Sequence, residues 1–404
     1  MDLQSGKLYW PTTLIETPQY PALQEDLVCD VLIIGGGSSG AQCAVQLTEQ
    51  GVSTVVVDKR SIGEGSTSSN TALIQYAGNK SFQGLVNTFG EDAAARHMKL
   101  CEEAITQMEN LCRTLPIDPE FIRRDSLYYA SYEKDVLELQ QEYELLTKYG
   151  FDVDLLTQQQ IAERYPFTKA AALYYYNDAE MNPYKFTYGL LEKARSLGAQ
   201  IYEHTEITRQ QFGADHNLFY TKDNHTIKAK HAIFAAGYED LQIHNDKNAL
   251  LTSSYAVITQ PVIDFSSWHK RTLIWETARP YIYMRTTADN RVIIGGLDKD
   301  TTYAATRDTK ILHSKEKLLE EFNKLFPDIQ VQADYYLGAF YGSTHDGLPI
   351  IGSYENYPNC YFLMGYGDNG TVYSMVLANI ISGLITKGQH PDAALYLQDR
   401  PLND

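Results

Sequence analysis

The chain has 404 residues, 44% hydrophobic and 21% charged, with a formal net charge of −17. That length allows roughly two to three domains of about 150 residues and an ample core. The acidic balance and the lack of a basic run argue against a nucleic-acid partner, because phosphate backbones need clustered Lys and Arg.

The five cysteines, Cys29, Cys43, Cys101, Cys112 and Cys360, form no CxxC and no zinc-like spacing. So sparse and odd a set predicts reduced thiols in a reducing compartment. The opening "MDLQSGKLYWPTTL" lacks the basic stretch and apolar core of a signal peptide. No stretch approaches the ~18 apolar residues of a membrane span. The expected location is cytoplasmic, with no metal site. Tyrosine is frequent, at 30 residues, and reads as core and interface filling.

In chain order, residues 1–27 are polar and predict an extended arm. "CDVLIIGGGSSGAQCAVQLTEQGVSTVVVDKR" predicts a buried strand, a glycine turn, a helix stopped by Gly51, and a second buried strand. This is a βαβ unit. Residues 91–115 have helical spacing, and "SLYYASYEKDVLELQQEYELLTKYGFDVDLL" reads as strand, helix, strand. "YKFTYGLLEKARSLG" predicts a helix ended by Gly198, and "HAIFAAGY" a buried strand entering a glycine turn. Residues 246–335 are richer in strands, with a helix at about 312–326. "YFLMG" is a strand, followed by "GYGDNG" and a helix from near Thr371 to Lys387. The strand-rich block interrupts an α/β pattern. A discontinuous nucleotide-binding domain is therefore expected at 1–90, 171–245 and 336–404, with a second domain at 91–170 and 246–335.

Gly35, Gly37 and Gly40 form G-x-G-x-x-G between a buried strand and a helix. Gly35 allows the tight turn, Gly37 admits a pyrophosphate to the backbone, and Gly40 lets helix and strand pack closely. Ser38 and Ser39 open the helix, whose free N–H groups favour phosphate. Asp58 ends the second strand, placed to accept from ribose hydroxyls. Lys59 and Arg60 follow it and are expected in the same site. The motif alone does not separate FAD from NAD. Ser66, Thr67, Ser68, Ser69 and Asn70 then make a hydroxyl-rich start to another predicted helix. They suit either a second set of pyrophosphate donors or ordinary capping.

With these motifs the chain resembles the D-amino-acid-oxidase-like family of FAD-dependent oxidoreductases. The resemblance rests on Gly35–Gly40, Asp58, "GSTSSNTAL", "MNPYKFTYGLLEKARSLGAQIYEHTEI", "AIFAAGY", "YIYMRTTADNRVIIGGLD", "GSTHDGLPIIG" and "GYGDNGTVYSMVLANII". It implies an α/β fold: a Rossmann-like FAD-binding domain with an inserted substrate domain on a large mixed β-sheet. It implies oxidation of a C–N bond of a small-molecule amine or amino acid to an imine, by hydride transfer to flavin N5. Further cofactor contacts are implied at Ile207, Ala235, Ala236, Gly237, Gly342, Gly367, Asp368, Asn369, Gly370 and Thr371.

Arg285, in "YMRTT", stands where members of the family carry an arginine for a substrate carboxylate. It suits that clamp or a brace for the sheet. A second arginine of glycine-oxidase-like members is replaced by Tyr341. Tyr255 and Tyr283 suit either the pocket or the core, and His345 a turn. No cysteine stands where relatives attach flavin covalently, so non-covalent FAD is expected. Some members continue into an iron–sulfur domain, and this chain ends without its Cys/His pairs. The helix near Thr371 would aim its positive end at the flavin edge that gains charge on reduction. Asp368 would oppose that charge unless turned away. Two alternatives remain: a nicotinamide-dependent dehydrogenase and a non-catalytic, redox-sensing flavoprotein.

Overall fold

A computed structural model describes residues 1–78, 80–213 and 215–402. Its centre is the predicted βαβ unit: strand Leu27–Ile34, helix Ser38–Thr48 and strand Thr54–Val57. Apart from Thr54, the buried residues of the two strands are apolar, as a sheet covered on both faces requires. Gly51 ends the helix at φ +74, with its N–H donating to the Thr48 carbonyl.

Around this unit lies a sheet with the parallel core order Cys360–Met364, Thr226–Phe234, Leu27–Ile34, Thr54–Val57, Gln200–Tyr202. Ile350–Gly352 pairs antiparallel at one edge. The hairpin Ile207–Gln211 and Asn217–Thr221 branches from Thr226–Phe234. Helix Gly370–Lys387 packs beside Ser38–Thr48, which brings the two glycine-rich helix starts together.

A second, larger sheet runs Gln4–Lys7, Ala333–Thr344, Ala249–Thr259, Val292–Lys299, Ile282–Thr286, Leu273–Glu276, Ile122–Tyr129, Ala171–Glu180, Leu73–Ile74, with Val153–Thr157 branching from Ala171–Glu180. Leu273–Glu276 pairs parallel with Ile122–Tyr129 and the other ladders are antiparallel, so the sheet is mixed. Its faces separate cleanly by strand alternation. Ala256, Trp275, Tyr283, Leu337 and Ala339 belong to the core shared with the nucleotide unit. Tyr255, Val257, Ile274, Met284 and Ile294 face the opposite core, under helix Ile311–Leu325.

The ladders move several expected boundaries. Ala171–Glu180, Leu73–Ile74 and most of Ala333–Thr344 were assigned by sequence to the nucleotide-binding domain, yet all pair in the larger sheet. Periodicity identifies a strand and does not say which sheet receives it. The arm expected at 1–27 contains a strand, Gln4–Lys7, paired to Tyr336–Ala339. The helix expected from Ser66 is a short 3-10 turn, Ser66–Ser69. Asn70 leaves it extended, at ψ 131, and Ala72 takes φ +50 on the way into Leu73–Ile74.

Candidate active site

A cavity of about 380 Å³ lies between the nucleotide unit and the front face of the larger sheet. The glycine turn forms its inner end. Gly35 has φ +118, and a Cβ there would sit 2.3 Å from the Ala235 carbonyl oxygen. At Gly40 a Cβ would meet the Gly35 carbonyl oxygen at 1.9 Å, so the helix can pack this closely only on glycine. At Gly37 the nearest atom is Thr67 Oγ1, at 3.1 Å. The Ser38 N–H donates to that same Thr67 oxygen at 3.0 Å. Thr67 thus caps the fingerprint helix from another segment. Ser68 and Ser69 donate back to the Gly65 and Ser66 carbonyls within their own turn.

Asp58 accepts from the Gly36 N–H and the Arg60 N–H, each at 2.8 Å. Burial pushes its carboxyl up, against those two backbone donors and the Arg60 charge. Lys59 and Arg60 both pair with Glu239, which also takes the Met1 ammonium at 2.8 Å. Burial alone would raise Glu239; the N-terminal ammonium, Arg60 and Lys59 outweigh it and hold it below the usual range.

The second helix start is tied directly to the first. Ser39 Oγ and Ser374 Oγ lie 2.8 Å apart, and Gln42 Nε2 donates to the Thr371 carbonyl at 3.3 Å. Asn70 Nδ2 donates to Thr371 Oγ1 at 2.8 Å. Gly367, at φ +124, donates its N–H to the Gly342 carbonyl. Two helix N-termini therefore meet at one cavity, and their positive ends and free N–H groups add up there.

Of the expected cofactor residues, Gly35, Gly37, Ser38, Ser39, Asp58, Lys59, Arg60, Ser66, Thr67, Ser69, Asn70, Ile207, Ala235, Ala236, Gly237, Gly367, Asp368, Gly370 and Thr371 line the cavity. Gly40, Ser68, Gly342 and Asn369 stand behind the wall. Asn369 precedes the helix, and its Nδ2 donates to the Ala77 carbonyl at 2.8 Å.

The expected substrate residues divide. Tyr283 and Tyr341 line the cavity. The Tyr283 ring lies over Gly295, whose added Cβ would meet it at 2.3 Å, and its hydroxyl oxygen accepts from Thr71 Oγ1 at 3.2 Å. Tyr255 borders the cavity, but its ring belongs to the opposite core and its hydroxyl donates to the Arg307 carbonyl at 3.3 Å. Strand alternation turns it away. Arg285 is 1% exposed and outside the cavity wall. Its Nε, Nη1 and Nη2 donate to the carbonyls of Thr71, Thr286 and Met181 at 2.7, 3.0 and 2.9 Å. Glu180 lies 4.0 Å away and the Trp10 ring 5.4 Å from the guanidinium. The carboxylate clamp is thus replaced by a brace that joins the larger sheet to the loop at Thr71. His345 is an exposed turn residue.

Sequence reasoning missed Leu3, Gln75, Tyr238, Trp275, Tyr281 and Tyr366 in the wall. Tyr281 was within reach, since it shares the face of Tyr283 at a spacing of two. Leu3, Gln75 and Trp275 carry no local signal, because distant pairings bring them in. Trp275 stacks on Tyr128 at 3.8 Å, and its buried Nε1–H has no partner among the described residues.

The cradle fits an FAD pyrophosphate. Its glycines leave the backbone open where a Cβ would fill it, its helix starts converge, and an acceptor stands at the end of the second strand. This fold and site define a dinucleotide-dependent oxidoreductase with its reaction space against a tyrosine-rich sheet. Residues 30–384 match the family described as FAD dependent oxidoreductase, DAO. The chain belongs to that family, and FAD is its cofactor. It is 26% identical to a Bacillus subtilis protein provisionally named a Rieske 2Fe-2S iron–sulfur protein, over 98% of this chain and 76% of that one. It is 22% identical to gamma-glutamylputrescine oxidoreductase of Escherichia coli, over 93% of this chain and 88% of that one. The crystal structure of glycine oxidase from Geobacillus kaustophilus shares the fold, with a TM-score of 0.76 at 20% identity over 90% of this chain and 96% of that one. The family assignment sets aside the nicotinamide-dependent reading. Among the described residues no helix is long and apolar enough to cross a membrane, and no group of three metal-ligating side chains occurs.

Proposed function

We propose that this enzyme oxidises a C–N bond of an amine or amino acid to an imine, using non-covalent FAD. The observation that carries the reading is the single cavity that joins the phosphate cradle to the front face of the larger sheet. Relatives named for glycine and gamma-glutamylputrescine support it. Bound FAD supplies the electron acceptor. The chain's own residues bind it through Gly35–Gly40 and Asp58, and turn the start of helix Gly370–Lys387 toward it. Tyr281, Tyr283 and Tyr341 wall off water and hold the substrate. Burial pushes their hydroxyls well up, so they stay protonated and serve as donors and surfaces. Among the described residues no histidine lines the cavity, and the substrate nitrogen is taken up uncharged.

The test is anaerobic mixing of the yellow protein with secondary amines, diamines and amino acids. Bleaching of the FAD absorbance by at least one class is expected. A protein that retains FAD and is bleached by none of them would be a non-catalytic flavoprotein.

A further inference from the structure

The wall of the cavity has a seam. On one side stand Leu337 and Ala339 of the larger sheet, and on the other Gly65, Ser66 and Thr67 of the nucleotide unit. Leu3 bridges them. It is buried and lines the cavity, and its Cδ1 stands 3.9 Å from the place of a Cβ on Gly65. Its carbonyl accepts from the Phe340 N–H at 2.9 Å.

Leu3 is carried by a segment held on one side only. Gln4–Lys7 is the end strand of the larger sheet, and its ladder is a four-residue pairing with Tyr336–Ala339. Strands deeper in the cavity wall, such as Ala249–Thr259 and Ile282–Thr286, have a neighbour on each side. The other ties of the segment are polar. Gln4 Nε2 donates to Ser68 Oγ at 2.7 Å and to the Glu64 carbonyl at 3.0 Å. Arg307 Nη1 donates to the Asp2 carbonyl at 3.0 Å, Lys7 Nζ to the Asp334 carbonyl at 2.8 Å, and the Met1 ammonium to Glu239. Water can replace each partner when the segment lifts, so each tie is worth little net.

The seat is also incomplete. Arg307 Nη2 is buried, makes no hydrogen bond among the described residues, and stands 3.6 Å from the Asp2 carboxylate. Gln4 Oε1 is likewise buried without a partner among them. These two atoms belong to the ties on either side of Leu3. A polar atom sealed off unpaired weakens the contact that seals it. Gly6 supplies a pivot: its φ is +114, and a Cβ there would stand 2.3 Å from the Tyr336 carbonyl oxygen. Just beyond, the chain is fixed. The Tyr9 hydroxyl donates to Asp289 and Trp10 Nε1 to the Asn70 carbonyl, each at 2.6 Å, and both rings are buried.

We propose that residues 1–7 are a strap that gates the FAD site. The strap lifts about Gly6 from the edge of Ala333–Thr344, opens the seam at Leu3 for FAD to enter or leave, and closes again over the bound cofactor. Opening of the strap then sets the rates of loading and release, as a lid does. The inference holds whatever the flavin oxidises.

The test ties the strap to its edge. Gln4 and Ala339 stand opposite each other. The bond from the Phe340 N–H to the Leu3 carbonyl makes the neighbouring pair the hydrogen-bonded one. Gln4 and Ala339 are therefore a non-hydrogen-bonded pair, with side chains close enough for a disulfide. The Gln4→Cys, Ala339→Cys full chain is stripped of FAD, and uptake is followed by stopped-flow flavin fluorescence in its oxidised and reduced forms. Release is followed on dilution of the loaded forms. The oxidised form should load and release FAD about tenfold more slowly than the same protein reduced. Gly6→Ala should raise both rates roughly threefold, because the new Cβ unseats the strap without touching the cavity wall. Equal loading rates in the two redox forms overturn the proposal. If the cysteines fail to pair, Gly6→Ala decides alone. Loading no faster than the parent's, whatever happens to release, reduces the strap to a stabiliser of bound FAD and overturns the gate.

Discussion

Replacing Arg285 by methionine separates a brace from a carboxylate clamp. The guanidinium is buried, and burial lowers its pKa to about 10 despite Glu180 nearby. Arg285→Met removes charged donors from the carbonyls of Thr71, Thr286 and Met181. Each buried acceptor left without a donor costs roughly 1–3 kcal/mol. Glu180 is not stranded, because Arg124 remains 2.9 Å away and the Thr286 hydroxyl 3.2 Å away. With three carbonyls at the lower part of that range, the expected loss is about 3–5 kcal/mol. At about 2 °C per kcal/mol for a large domain, the melting temperature should fall by roughly 6–10 °C. Arg285→Lys should be intermediate, since an ammonium cannot span three carbonyls in one plane. The assay is thermal denaturation of the FAD-loaded protein, alongside titration with carboxylate and non-carboxylate ligands. With Arg285 acting as a brace, both ligand classes should weaken equally. An unchanged melting temperature with a selective loss of carboxylate affinity would refute it.

Gly35→Ala should abolish FAD retention, because the new Cβ meets the Ala235 carbonyl oxygen at 2.3 Å on a backbone held at φ +118; the ratio of FAD to protein absorbance after gel filtration measures this. Asp58→Asn should weaken FAD by about tenfold, the loss of roughly one charge-assisted acceptor, as read by fluorescence of released flavin. A pH effect follows from Asp178, which burial raises to about 7 against hydrogen bonds from Ser126, the Tyr76 N–H and Gln75. The folded protein holds this proton up to near pH 7, while the unfolded chain releases it near 4, so Asp178 makes stability fall as pH rises through that window. Asp178→Asn should therefore gain more stability over the parent at pH 8 than at pH 5, by roughly 2–3 kcal/mol at 1.36 kcal/mol per pH unit. Urea melts at both pH values measure it, and an equal gain at both would place the Asp178 pKa outside this window.

What could be read in the sequence was what a few neighbouring residues decide. Gly40 answers to the Gly35 carbonyl of its own turn, and the glycine spacing made the strand–turn–helix legible, although Gly35 meets Ala235 and Gly37 meets Thr67 from distant segments. The helices Glu91–Cys112 and Ile311–Leu325 followed from their apolar spacing. Side-chain roles on the larger sheet were less accessible. Arg285 draws its acceptors from residues 71, 181 and 286, which nothing in "YMRTT" announces. Tyr255 is instructive because the signal was present. Its neighbours Ser254 and Ala256 are small, as positions facing a cofactor must be, and alternation then sends Tyr255 to the other side. Gln4–Lys7 is polar throughout and becomes a strand only because Ala333–Thr344 offers it an edge. The sheet membership of Ala171–Glu180 fails for the same reason, since its partners lie at 122–129 and 153–157.

The bond between Ser39 and Ser374 spans 335 positions of the chain. During synthesis the first helix start leaves the ribosome long before the second is made. Strand Leu27–Ile34 likewise waits for Thr226–Phe234. A nascent chain therefore carries half of its phosphate cradle unpaired until helix Gly370–Lys387 has emerged, and only then can both halves close on one FAD. FAD binding comes after the second helix start and does not guide the first.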